Sequence, residues 1–356
     1  MKTKALLLLS TMALVRTAYA QEPENSPLQI SGSVDTYYKY DFQKQPNIGT
    51  SFANDHNSLS LGMIDIALKK TTGKASFIGE VSFGPRGQSQ SLLNGDGTDA
   101  NDNNTFNLQN LSIAYAFTDK FTMTAGFMGT FVGYEVISPV GNFNYSTSYL
   151  FSAGPFQNAG IKGTYTFSSK ISLMLGMFDD WNVYKDLNGI THFGAQLGLF
   201  PAEGWSAYLN VLTGKNQGAV SDGALFDLTT AYQVTEKVKL GLNAADYNLA
   251  DNNGGYSGAA VYLQNAFSES FALGLRGEYF KTKTVGAVAG ESFKSVTLSG
   301  NLKAGGLTLI PEFRFDNRGE DLFSKPSLKL LPAPPVQIKW FINESIFSEL
   351  KRIYGS

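Results

Sequence analysis

Residues 159–177 form two alternating arms around the turn Ser168-Ser169-Lys170. Phe167, Tyr165, Gly163, Ile161 and Ala159 share one face of the first arm, and Ile171, Leu173, Leu175 and Met177 share the matching face of the second. Thr166, Thr164 and Lys162 oppose them on one arm; Ser172, Met174 and Gly176 oppose them on the other. A period of two puts successive side chains on opposite faces of a strand, and a slip of one residue would exchange the faces. The pattern therefore specifies a hairpin and its register. The same device recurs around Thr118-Asp119-Lys120, Thr235-Glu236-Lys237 and Ser268-Glu269-Ser270, with different letters each time. Repetition of the design without repetition of the residues predicts one large antiparallel sheet built hairpin by hairpin.

Composition decides what such a sheet borders. Charged residues are 16% and aromatic residues 13% of the 356, where a typical soluble chain carries about 25% charge. Mean hydropathy is near zero, and beyond residue 20 no apolar run is long enough for a membrane helix. Alternating strands that are polar on average and rich in aromatics suit a transmembrane barrel, with lipid outside and water inside. A net charge of -2 supplies no basic footprint for nucleic acid. The absence of cysteine removes disulfides, thiolate metal sites and a cysteine-linked lipid anchor.

Taken in order, residues 1–20 read as an export signal: Lys2 and Lys4, a short apolar core, then Ala18-Tyr19-Ala20 before Gln21. Residues 21–27 are a polar periplasmic lead-in. The first strand follows. Val34, Tyr38 and Tyr40 take one face; Ser33, Asp35 and Lys39 take the other, with Tyr37 among them. A lysine facing mid-depth hydrocarbon would cost about 2–4 kcal/mol, so the charged face looks into the barrel. In the next arm Leu59/Leu61/Met63 and Ile64/Ile66/Leu68 fall on opposite faces, and a bulge near Asp65 would reconcile them. Fifteen arms alternate between short turns, expected in the periplasm, and longer polar connections near 43–58, 84–104, 128–158, 179–191, 213–224, 245–257 and 281–291, expected outside the cell.

Barrels of this kind have even strand numbers, so about sixteen strands are expected, the barrel occupying 28–323. The tail, 324–356, is a doubtful source for the last one. Pro326, Pro332, Pro334 and Pro335 cannot donate ladder hydrogen bonds. Val336, Ile338 and Trp340 could extend, and 343–354 has a helical apolar face. The tail is expected not to be the authentic end of the barrel, as after a change of reading frame.

The longest connection, 128–158, is aromatic, rich in hydroxyls and poor in charge. A connection that long in a compact fold is functional or disordered, and this composition disfavours disorder. The expectation is a constriction loop folded into the lumen, with Glu135, Asn142, Asn144, Tyr145 and Tyr149 as candidates; the alternative is a loop covering the rim. Inward alternation nominates pore-lining charges: Asp35, Lys39, Glu80 and Lys162 in the first half, then Arg276, Glu278, Lys303, Glu312 and Arg314. Such residues set the field along a pore.

Two runs resemble the outer-membrane beta-barrel porin-2 family common in Bacteroidetes. One extends from Leu61-Gly62-Met63 to Gly79-Glu80-Val81-Ser82-Phe83-Gly84-Pro85-Arg86. The other is Gly133-Tyr134-Glu135, Asn142-Phe143-Asn144-Tyr145-Ser146 and Ser148-Tyr149, ending Gly154-Pro155-Phe156. The resemblance covers roughly 28–323. It implies an outer-membrane barrel for passive passage of small solutes. Members normally end in a strand closing on an aromatic residue, which the insertion machinery recognises; this sequence ends Tyr354-Gly355-Ser356.

Other chemistry is thin. Asp179-Asp180 and His192 resemble the carboxylate–histidine pair of a hydrolase at a barrel rim, but the sequence does not bring base, orienter and water or nucleophile together, and a solvated loop is the favoured reading. The run Asn94–Asn104 resembles a calcium loop, but Asn104 and Asn110 stand where glycine and glutamate are required. No catalytic residue, metal site or cofactor is expected. The reading is an all-β transmembrane up-and-down barrel in the outer membrane, not an enzyme: a diffusion channel for small hydrophilic solutes or ions. Its expected partners are outer-membrane lipid, small solutes, the barrel-assembly machinery and two further copies in a homotrimer. The rival is a barrel serving as an outer-membrane enzyme or surface binding scaffold.

Overall fold

The computed structural model describes residues 26–42, 44, 49–88, 107–186, 188–216, 218–318 and 336–342. The expected signal, most of the lead-in, the calcium-like run, the proline-rich stretch and the apolar face of 343–354 lie outside the described residues. The strands are β1 (Gln29–Lys39), β2 (Ser58–Thr72), β3 (Ala75–Phe83), β4 (Asn107–Ala116), β5 (Phe121–Gly129) and β6 (Gln157–Ser168). Then come β7 (Ile171–Phe178), β8 (His192–Leu199), β9 (Trp205–Gly214), β10 (Gly223–Gln233), β11 (Val238–Leu249) and β12 (Gly255–Ala266). The last are β13 (Phe271–Thr282), β14 (Ser292–Ala304), β15 (Leu307–Leu309), β16 (Glu312–Arg318) and β17 (Val336–Ile342). Two short helices, α1 (Pro85–Gln88) and α2 (Tyr149–Ala153), interrupt the connections.

The 17 segments form one sheet. They make sixteen crossings, because β15 and β16 are one arm broken at Ile310-Pro311, where proline has no N–H for the ladder. Each strand pairs antiparallel with its sequence neighbour through β14. The ladder then passes from β14 to β15, from β15 to β17, and from β17 back to β1. This ring of pairings joins the last strand to the first, as a sheet bordering hydrocarbon requires, while β16 pairs with β14 on one side.

Burial follows the alternation. Leu111, Ile113, Leu175, Phe193, Val261 and Leu298 are exposed on the outside of the sheet. Ser33, Asp35, Asn210, Asp227, Arg276 and Thr297 are buried on the inside. In the hairpin of β6 and β7, Tyr165, Phe167, Ile171 and Leu175 face out, while Ser172 and Met174 are covered. Phe167 is an extra residue in that ladder, since Thr166 pairs with Ser172 and Ser168 with Ile171.

The bulge in β2 lies at Gly62-Met63, just before the expected Asp65. Val34 pairs with Ile64 but Thr36 with Leu61, so β2 carries one residue more than β1 there. The side chain opposite decides the position: Asp35 Oδ1 accepts the Met63 N–H at 2.8 Å. A Cβ at residue 62 would collide with the Asp35 carboxylate, so glycine is required. With the bulge in place Leu59, Leu61, Ile64, Ile66 and Leu68 are all exposed, and Met63 is buried inside.

The strands also run further than the alternation suggests. β11 and β12 reduce the expected 245–257 connection to 250–254. Asp246 pairs with Ser257 in that extension, where the outward row has become polar and the greasy signal ends while the backbone ladder continues.

A candidate constriction site held by the lumen wall

Backbone and side chains of the β5–β6 connection bond to inward-facing groups of the wall. Gly133 N–H donates to Asp227 Oδ1 of β10 at 3.0 Å. Glu135 Oε1 accepts from Arg276 Nη1 of β13 at 2.7 Å and from the Tyr262 hydroxyl of β12 at 3.2 Å. Its other oxygen accepts the Ser148 N–H at 2.7 Å, tying the two limbs of the loop together. Arg276 continues to the Ser146 carbonyl at 2.6 Å and to Thr297 Oγ1 of β14 at 3.2 Å. A planar guanidinium with several fixed donors suits such a junction.

Two further carboxylates hold loop amides. Glu312 of β16 accepts the Tyr145 and Ser146 N–H groups at 2.8 and 3.1 Å, and Asn144 donates to Ser299 of β14 at 2.7 Å. Glu278 of β13 accepts the Tyr149 N–H at 2.8 Å and Arg314 Nη2 at 3.1 Å. Arg314 also donates to the Thr147 carbonyl at 2.6 Å and pairs with Asp316 at 2.9 Å. The Tyr145 hydroxyl donates to Asp35 Oδ2 at 2.5 Å. One loop residue thus joins the first strand to β16. These charges are almost wholly removed from water. Each is paired or accepts several N–H groups, which is what makes a buried charge tolerable.

Shape completes the seat. Phe131, Tyr134 and Phe143 lie over the inward glycines Gly194, Gly241 and Gly274, where a Cβ would overlap each ring at under 3.0 Å. Tyr134 stacks on Tyr262 with centroids 4.4 Å apart. Val132, Tyr149 and Leu150 join an apolar cluster with Phe178, Leu212, Leu225, Tyr256, Phe280 and Phe293. The inside is therefore not wetted throughout: where the loop rests, inward positions are greasy because the loop supplies their partner. Ser148 Oγ caps α2 by accepting the Phe151 N–H at 3.1 Å. Burial holds the phenols of Tyr145 and Tyr149 well above their ordinary value, so both remain neutral hydroxyls. Tyr134 is pushed up to about 12 by burial and then by Glu135.

Of the residues nominated from sequence, Asp35, Glu135, Asn144, Tyr145, Tyr149, Arg276, Glu278, Glu312 and Arg314 come together here. Asn142 instead bonds within the loop, to both backbone groups of Val136. Glu80 accepts from Asn110 of β4. Lys39 is buried, Lys162 is half-buried on β6, and Lys303 is exposed beside the turn at Gly305. Asp227, Tyr262 and Arg86 were missed. Asp227 faces in between outward Phe226 and Leu228, directly opposite Asn210 and accepting from the amides of both Asn210 and the diagonal Asn243; those inward amides were its signal. Arg86 follows β3, is 1% exposed, donates to the Ile137 carbonyl at 3.1 Å and lies 4.3 Å from the centre of the Phe52 ring. At the rim, Asp180 stands 3.5 Å from His192 Nδ1, but Thr191 Oγ1 meets the same nitrogen at 3.1 Å.

Solved outer-membrane channels share this architecture. OmpF of Salmonella typhi, in complex with daunomycin, superposes with a TM-score of 0.61 at 13% identity, over 90% of this chain and 99% of that one. The DcaP channel of Acinetobacter baumannii gives 0.57 at 13% identity, over 88% and 95%. OmpT of Vibrio cholerae in its trimer form gives 0.58 at 12% identity, over 88% and 99%. At such identities the likeness is one of fold. No curated protein matches the chain. The family model described as "Putative beta-barrel porin-2, OmpL-like" matches residues 27–329. The chain therefore belongs to that family, an outer-membrane β-barrel of porin type.

Proposed function

We propose that the protein is a passive diffusion channel for small hydrophilic solutes or ions, with the 128–158 loop as its constriction. One observation carries the reading: loop N–H groups of Tyr145, Ser146 and Tyr149 end on the wall carboxylates Glu312 and Glu278. Sixteen strands enclose more space than side chains fill. A loop fastened across that space sets the narrowest opening, so passage is governed by size and local field with no covalent step. The exposed apolar rows are the lipid contact. Assembly as a homotrimer, after insertion by the barrel-assembly machinery, belongs to the same proposal; the trimer form of the Vibrio cholerae protein supports it.

Swelling of liposomes containing the purified full-length protein tests the function. Small neutral sugars enter and larger ones are excluded at a sharp size. Folded protein that gives no swelling with any sugar contradicts the proposal.

A further inference from the structure

The loop divides the lumen electrically. Apart from Gly133, whose partner is Asp227 of β10, the acids it uses lie on β1, β13 and β16 and are buried beneath it. The wall from β4 to β9 meets the start of the loop, where Phe131 rests on Phe178 and accepts a hydrogen bond from Gln196, and its charge is different. Its inward positions are mostly hydroxyls, amides and glycines, among them Ser112, Thr124, Thr164, Gln196 and Asn210. Leaving aside His192 at the rim, its inward charge is Lys162.

Lys162 lies mid-strand on β6, paired with Thr124 of β5 and Gly176 of β7. Gly176 in turn pairs with Gly194 of β8. The Phe178 ring of β7 lies over Gly176 and, with Phe131 of the loop, over Gly194, so the row beside Lys162 carries aromatic carbon and no second charge. Lys162 is half-buried, and among the described residues its amine makes no hydrogen bond or ion pair. Lys239 of β11 is likewise half-buried and unpaired. Glu80 of β3, the nearest inward acid on the adjoining wall, is engaged by Asn110.

We infer that Lys162 sets the ionic preference of the channel, and that the preferred solutes are small anions. The inference rests on the pore reading and adds its substrate class. Carboxylates that hold loop amides and guanidinium groups are neutralised where they sit. An ammonium with no partner is a point charge left to act on passing ions. Its influence extends over a screening length of about 10 Å in 0.1 M salt and about 3 Å in 1 M salt. Lys239 adds a weaker contribution of the same sign.

Reversal potentials of the purified full-length protein in planar bilayers under a potassium chloride gradient test this. In dilute salt the wild type passes chloride in preference to potassium, and the ratio approaches one at 1 M. Lys162→Gln brings the dilute-salt ratio close to one, Lys162→Glu inverts it, and Lys162→Arg retains it. A wild type that prefers potassium overturns the inference, as does a conducting Lys162→Gln channel with the wild-type ratio. Folded wild type that never conducts overturns the pore reading and this inference with it; a ratio that ignores the lysine overturns only the assignment to Lys162.

Discussion

Glu135 of the loop and Arg276 of the wall meet at 2.7 Å, with side chains 4% and 0% exposed. An ion pair this deep is tolerable only while both members are present. Glu135→Gln leaves the guanidinium short of one charge and loosens the junction to Ser148. Removing one member of a buried pair costs about 3–5 kcal/mol. Urea unfolding in lipid vesicles will show a loss of that order. Unit conductance will rise as the loop leaves the wall. A lower stability with unchanged conductance would mean that the pair braces the barrel without shaping the passage.

Gly274 is the recess for Phe143. Gly274→Val places two methyl groups where the ring lies, while its own backbone stays within the strand repertoire. The loop then lifts at Phe143, and the Asn301 amide loses the Phe143 carbonyl it meets at 2.9 Å. Overpacking of this kind costs about 1–3 kcal/mol. Protease nicking within 138–147 will become faster in the variant, with the barrel itself still resistant.

High pH unseats the loop through Tyr134. Its ordinary value of 10.0 is raised to about 12, so the fold favours the neutral phenol. The sign follows from that: stability is intact below pH 10, where Tyr134 is neutral folded or unfolded, and is lost as pH rises from 10 towards 12. Absorbance titration will show one tyrosine fewer ionising near 10 in Tyr134→Phe than in wild type when both are unfolded, and an equal number when both are folded. Alkaline unfolding of the variant will begin at higher pH.

Much of the architecture was legible because lipid and water impose a two-residue alternation. Leu175 beside Met174, or Phe226 beside Asp227, states which side each faces. The alternation fails where a different force acts. Gly62-Met63 breaks it because the Asp35 carboxylate captures a backbone N–H, which no periodicity reports. Leu212, Leu225 and Phe280 face inward against the wetted expectation because the loop covers them. The carboxylates of the site were readable as inward residues. Their common destination in the loop was not, since a bond between Glu312 and Tyr145 spans 167 positions that local patterns do not connect.

Because the chain has no cysteine, single cysteines report sidedness directly. Thr124→Cys and Thr164→Cys place a thiol on the inner face of β5 and β6, and Ala125→Cys and Tyr165→Cys place one on the outer face beside them. In protein reconstituted into vesicles, a charged, water-soluble thiol reagent will modify the two inner positions and leave the two outer ones unreacted. Reaction at the outer positions with the inner ones protected would contradict a barrel with hydrocarbon outside and water within.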